Sequence, residues 1–280
     1  MQRVVFRDVA LRSNRFSGLA AKVHRVLFVL FLLQFALVWA RLWLPGPMFG
    51  NARWPDGLLL VLANATLLAS LTCQLPGQNV MLASIIIAFI AGAVQSLGAL
   101  TAIPFGPYVY TENIGRELFH PLPWSVPLIW LAVILSSRGV ARLMLRPWRK
   151  TRNYGFRLIG FTTLLAVLLD VGLEPFATRV ARYWFWNPTK LKVDWYTAPL
   201  VNFFAWGVTT LLILAFATPS LINKKPPQEP SLDYSPVVVW LLFMLLFATG
   251  AAVHQLWPAL GLTCALSVTA AVFAIRGARW

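Results

Sequence analysis

Apolar residues along this chain neither alternate nor recur on one helical face. They come in blocks of about twenty, broken by short stretches that carry proline and arginine. A helix needs about 20 apolar residues to cross the hydrocarbon of a bilayer. Eight blocks meet that length, at residues 26–44, 57–75, 80–102, 124–145, 156–174, 198–219, 236–256 and 258–275. Pro45, Pro47, Pro55, Pro76, Pro104, Pro121, Pro123, Pro219 and Pro258 stand at or near block ends, where a missing N–H costs least. Only Leu256-Trp257-Pro258 separates the last two blocks, which predicts a tight helical hairpin, with seven spans as the alternative count. The first block is too long for the apolar core of a secretory signal and has no small-x-small cleavage site, so it reads as a retained span. The pattern predicts an all-α, polytopic transmembrane bundle of about eight spans. It forms a single integral-membrane domain over 1–280, with a basic segment at 1–25 and a polar linker at 223–236.

Composition agrees and narrows the class. Of 280 residues, 59% are hydrophobic and 12% charged, and the mean hydropathy is +0.69. Soluble domains carry about 25% charged residues, so an ordinary soluble enzyme and a disordered chain are both excluded. The net charge of +15 raises nucleic acid as a partner, but its distribution answers otherwise. With the N-terminus inside, the inner segments hold seventeen Lys and Arg and the outer ones seven. That split predicts both termini on the inner face, as in a prokaryotic cytoplasmic membrane protein. No basic stretch is interleaved with stacking aromatics, as a single-strand binder requires, so no nucleic acid is expected. Cys73 and Cys264 lie within apolar blocks with no CxxC pairing and read as small core residues.

The nine carboxylates are informative because they are so few. Asp8, Glu229 and Asp233 fall in inner segments, and Asp56 precedes the second block, where it can cap a helix. Glu112, Glu117, Asp170, Glu174 and Asp194 fall at or near the outer face. Asp170 and Glu174 are four residues apart on the fifth span and share one helical face. Asp170 is expected about one turn below the helix end. An ionisable group at that depth is by default a functional candidate; the alternative is a structural ion pair with Arg116, Arg179 or Arg182. Asn64, Gln95, Asn202 and His254 are expected at similar depth, either as interhelical hydrogen-bonding residues or as a shared polar pocket. Two outer loops, about 103–123 and 175–197, hold many aromatics, which an interfacial belt also explains.

Several chemistries have no carrier here. His24, His120 and His254 are the only histidines, and no HExxH, ligand-spaced His/carboxylate set or Cys cluster occurs, so no metal is expected. GxGxxG, GxxxxGK[ST] and GxSxG are also missing, so neither a nucleotide cofactor nor an elbow serine is expected. Cofactor-free acid/base chemistry and transport remain.

The stretch from Gly98 to Trp130 carries Pro104, Phe105, Gly106, Tyr108, Tyr110, Gly115, Val126, Pro127 and Trp130. A second series runs Asp170, Glu174, Pro175, Trp184, Trp186, Tyr196, Pro199, Asn202, Phe203, Trp206. In order and spacing these resemble the carotenoid biosynthesis membrane protein family, which includes carotenoid 1,2-hydratases and bisanhydrobacterioruberin hydratases. The resemblance covers about residues 60–220. It departs at Gln95, where the family usually has Glu, and at Ala102, Ala198 and Ala205, where Gly is expected. Gln95 cannot serve as an acid.

The resemblance implies addition of water to the terminal ψ-end double bond of an acyclic carotenoid. The partners it implies are a polyene substrate, water and the bilayer, with other enzymes of the same pathway as further candidates. Protonation of the alkene leaves a tertiary carbocation that water attacks. The acid must hold its proton near neutral pH, which apolar surroundings and a neighbouring carboxylate both favour. Asp170, with Glu174 beside it, is the leading candidate. Glu112, following the Tyr-x-Tyr run, is the rival. Gln95, Tyr108, Tyr110, Trp130, Trp184, Trp186, Tyr196, Asn202 and Trp206 are the expected substrate contacts. Aromatic faces, with Trp195 among them, would stabilise the cation by roughly 2 kcal/mol or more when desolvated. The same cation could instead close a ring, as in a cyclase. A proton-coupled transporter or lipid-binding protein using Asp170 is the reading from a different class.

Overall fold

The computed structural model describes residues 2–44, 54–188, 194–222 and 232–280, with side chains from Gly18 onward. Among these residues eight helices are long and apolar enough to cross a membrane. They are α1 (Gln2–Trp43), α2 (Trp54–Thr72), α3 (Gly77–Thr101), α4 (Ser125–Met144), α5 (Tyr154–Pro175), α6 (Leu200–Ala217), α7 (Ser235–Val253) and α8 (Trp257–Ala278). Six short strands pair two by two: β1 (Tyr108–Tyr110) with β4 (Trp184–Trp186), β2 (Glu117–Phe119) with β3 (Leu122–Pro123), and β5 (Asp194–Trp195) with β6 (Ala198–Pro199). The predicted spans at 26–44 through 258–275 each have their helix. Arg3, Arg7, Arg12, Arg15 and Asp8 of the basic segment have no described side chains. Pro45, Pro47, Arg53, Lys190, Lys192 and linker positions 223–231 lie outside the described residues.

Proline explains several helix starts. Pro55, Pro236 and Pro258 occupy the first turns of α2, α7 and α8, where their fixed φ suits the helix and their absent N–H is not missed. The hairpin between α7 and α8 turns through His254, Gln255 and Leu256, with Gln255 at φ 58°. The fifth span runs further than expected. Its helix does not stop near Glu174 but runs through Pro175 into a π-turn at Phe176–Val180. Asp170 lies five residues, or about 7.5 Å, below the α-helical end at Pro175, as expected, and the π-turn then carries the chain further beyond it.

α4 is the centre of the bundle, packed against α2, α3, α5, α7 and α8. Its most apolar stretch is 72% buried, against 17% for α1 and 22% for α8, which leave their apolar sides to lipid. Gly277 of α8 sits against the Leu143 carbonyl of α4, an approach that a side chain would block.

Polar contacts distinguish the two ends of the bundle. At one end His24 meets Ser235 (3.0 Å), Gln74 meets Asp233 (3.1 Å), and Arg142 meets Gln74 (2.8 Å). Gly277 places the C-terminus at this same arginine-rich end. At the other, the described connections 102–124, 176–188 and 194–199 fold back over the helices and build the site.

Candidate active site

The two aromatic loops form one structure. β1 and β4 run antiparallel, with Tyr108 opposite Trp186, Val109 opposite Phe185 and Tyr110 opposite Trp184. Strand side chains alternate between faces, so Val109 and Phe185 turn outward, 56% and 51% exposed, while the tyrosines and tryptophans turn down onto the helices. Gly98 on α3 makes room for this fold: a Cβ there would sit 2.7 Å from the Phe105 ring and 3.1 Å from the Tyr108 hydroxyl. Ala102 closes α3 at φ 64°, its N–H bonded to the Gly98 carbonyl.

Beneath the ribbon lie Asp170 and Glu174, 0% and 1% exposed. They hang from one face of α5 and share a single amide. Asn202 on α6 donates from Nδ2 to Asp170 Oδ2 and to Glu174 Oε1, each at 3.0 Å. Glu174 Oε2 accepts the indole N–H groups of Trp184 at 3.2 Å and Trp186 at 3.0 Å. Asp170 Oδ1 is buried with no hydrogen-bond partner. No cation lies within ion-pair distance of either carboxyl group among the described residues, and Arg116, Arg179 and Arg182 are exposed. Among the described residues, only neutral donors surround the two acids. Holding both as charges there is costly.

A cavity of about 30 Å³ opens beside the pair, room for one or two waters. Its lining includes Glu174, Gln95, Tyr108, Tyr110, Trp130, Trp184, Trp186, Asn202 and Trp206. Trp130 and Trp206 stack at 4.0 Å as one wall. Tyr108 and Tyr110 both donate to Gln95 Oε1 at 2.8 Å, which holds the ribbon to α3. Burial raises both phenols well above the ordinary tyrosine range, and each is pushed further by negative charge near Glu174. They are hydrogen-bond donors at any physiological pH.

Placement of the remaining expected residues differs. Asp170 touches the cavity only through Asn202, so the carboxyl group on its wall is Glu174. Glu112 is exposed at the start of a short 3-10 turn and does not line the cavity. Tyr196 takes a positive φ of 52° and turns away; its hydroxyl accepts the Ala259 N–H at 3.3 Å. Trp195 donates to the Val171 carbonyl at 2.9 Å, bracing α5 from outside. Asn64 bonds the Leu60 and Leu128 carbonyls, and His254 faces the Gly250 carbonyl, so neither joins the pocket. Asp56, expected as a cap, pairs with Arg41 at 3.4 Å.

Phe105, Val126 and Ile129 line the cavity without having been singled out as contacts. The period-2 strings Tyr-Val-Tyr and Trp-Phe-Trp were the signal that could have marked the two strands in advance, though not their pairing. Ile129 also faces a second, apolar cavity of about 130 Å³, bounded by Leu169 and Leu173, which lie roughly a quarter-turn round α5 from the acids. Among the described residues no three His, Cys, Asp or Glu side chains gather as a metal site.

A polytopic helical membrane protein with a buried carboxyl pair under an aromatic ribbon is the class this architecture defines. Within it, the chain belongs to the carotenoid biosynthesis protein family, which it matches over residues 56–270. It is 22% identical over 126 residues to the bisanhydrobacterioruberin hydratase of Haloarcula japonica, a match covering 44% of this chain and 40% of that protein. The chain thus spans well under half the length of that curated relative. No solved structure matches it.

Proposed function

We propose that this protein adds water to the terminal double bond of an acyclic carotenoid end group, using the Asp170–Glu174 pair as acid and base. The observation that carries the reading is a carboxyl pair, buried at membrane depth with no counter-cation among the described residues and open to a water-sized aromatic cavity. The weak likeness to a hydratase agrees with it.

In this reading the pair holds one proton, and Glu174, on the cavity wall, transfers it to the alkene. A C–H bond forms at the less substituted carbon, the Glu174 O–H bond breaks, and a tertiary carbocation remains. The indole N–H groups of Trp184 and Trp186 and the Asn202 amide then stabilise the carboxylate just formed. The stacked Trp130–Trp206 wall and the tyrosine ring faces lie against the cation. Water adds to the cation, and the oxonium returns its extra proton to the pair. Asp170, behind Asn202, completes the pair and keeps one proton available. The isoprenoid chain reaches the site from the adjoining apolar cavity by displacing Ile129, their common wall.

The arginine-rich end, with both termini, faces the cytoplasm in this reading, and the site opens toward the outer leaflet of a prokaryotic cytoplasmic membrane. The deciding experiment supplies acyclic carotenoids to membranes containing the protein and follows product mass. A gain of one water supports hydration. An isomer of unchanged mass replaces the reading with cyclisation, and an unaltered substrate removes both in favour of transport or lipid binding.

A further inference from the structure

We propose that the opposite end of the bundle holds a binding site for a phosphate group. A cavity of about 100 Å³ there is lined by Arg138, Arg142, Arg146 and Arg149, together with Asp233 and Tyr154. The first three follow at intervals of four, so the face they occupy on α4 continues into the 3-10 turn Arg146–Trp148. Four guanidinium groups face one carboxylate. That carboxylate is already occupied: Asp233 accepts from Gln74 Nε2 at 3.1 Å, from the Ser235 N–H at 3.0 Å and from the Ser70 hydroxyl. No carboxylate lies within ion-pair distance of the four arginines among the described residues.

Arginines that only set topology sit in loops or reach out to water along their stems. Arg138 does neither. It is 6% exposed, six residues or about 9 Å inside the end of α4. Its Nη2 donates to the Leu221 carbonyl at 2.8 Å, which fixes the guanidinium in place. Arg142 is held in the same way by Gln74 Oε1 at 2.8 Å. Arg146 Nε is buried without a partner. Among the described residues these cations are immobilised by neutral groups, keep an unused donor and have no anion of their own. Guanidinium forks match the oxygens of phosphate two at a time. The level of the site, at the end of a span, is that of lipid headgroups, so the phosphate could belong to a lipid or be free in solution.

The full chain, purified and delipidated in detergent, is titrated calorimetrically with inorganic phosphate, with dioctanoyl phosphatidic acid, and with dioctanoylglycerol as the phosphate-free control. Binding of phosphatidic acid alone identifies a lipid headgroup; binding of both phosphates identifies the phosphate itself. Arg142→Gln with Arg146→Gln is expected to weaken either by about tenfold or more. Arg146→Gln with Arg149→Gln lies beyond the helix and keeps the test open should the first variant not fold. Arg157→Gln, exposed and outside the cavity, is expected to bind normally. The proposal is overturned if neither phosphate binds, if dioctanoylglycerol binds equally, or if Arg157→Gln weakens binding as much as the cavity variants.

Discussion

Replacing Glu174 by glutamine separates its chemical role from its packing role. In the wild type Oε2 accepts two indole N–H groups and Oε1 accepts the Asn202 amide. Glutamine fills the same volume but presents one oxygen and one NH₂. With the oxygen toward Trp184 and Trp186, both indole bonds survive and the NH₂ meets the donating Asn202 amide. One buried bond is lost, at a cost of about 1–3 kcal/mol. Against a typical stability of about 5–15 kcal/mol, the protein stays folded. The chemistry suffers more: removing a general acid lowers the rate by roughly 100- to 10,000-fold, or about 3–5 kcal/mol of barrier. Glu174→Gln should therefore show a modestly lowered Tm in detergent with a monodisperse elution profile, and a product yield per folded molecule down by at least two orders of magnitude. The assay is mass analysis of carotenoids from membranes given an acyclic substrate. A variant that keeps near-normal turnover would refute the role assigned to Glu174, whatever its Tm.

Asp170→Asn is expected to cut turnover similarly with little loss of folded yield, while Glu112→Gln, changed at an exposed carboxylate off the cavity, should stay active; mass analysis of both against folded yield checks this. Gly98→Ala should destabilise the protein by about 1–3 kcal/mol and lower activity, because the new methyl collides with Phe105 beneath the ribbon; thermal unfolding and turnover read the two effects. Tyr108 and Tyr110 titrate higher folded than unfolded, so their contribution to stability is complete below pH 10 and falls as pH rises beyond it. Alkaline unfolding curves should show that loss, and Tyr110→Phe should reduce it. A topology reporter fused after Trp280 should read cytoplasmic; a periplasmic signal would reverse the proposed orientation.

Much of this protein was legible along the chain because membrane insertion is a one-dimensional problem. A span must satisfy its own backbone and present about twenty apolar residues, and both requirements can be read by counting. The eight helices, their proline-marked starts and the final hairpin follow from that. Asp170 and Glu174 stood out for the same reason, as acids within an apolar run.

What lies between elements was not legible in this way. The pairing of Tyr108–Tyr110 with Trp184–Trp186 joins residues more than seventy positions apart, and nothing local states which loop meets which. Tyr196 and Trp195 belong by composition with the pocket aromatics, yet one positive φ and two backbone contacts turn them outside it. Tertiary structure also decided which acid faces the cavity. A four-residue spacing places Asp170 and Glu174 on one side of α5, but the positions of Asn202 and the two indoles set Glu174 against the opening and Asp170 behind it. Hydropathy acts on each residue separately and survives in the sequence. A hydrogen-bond network depends on distances between side chains brought together from three segments, and those distances exist only once the bundle has packed.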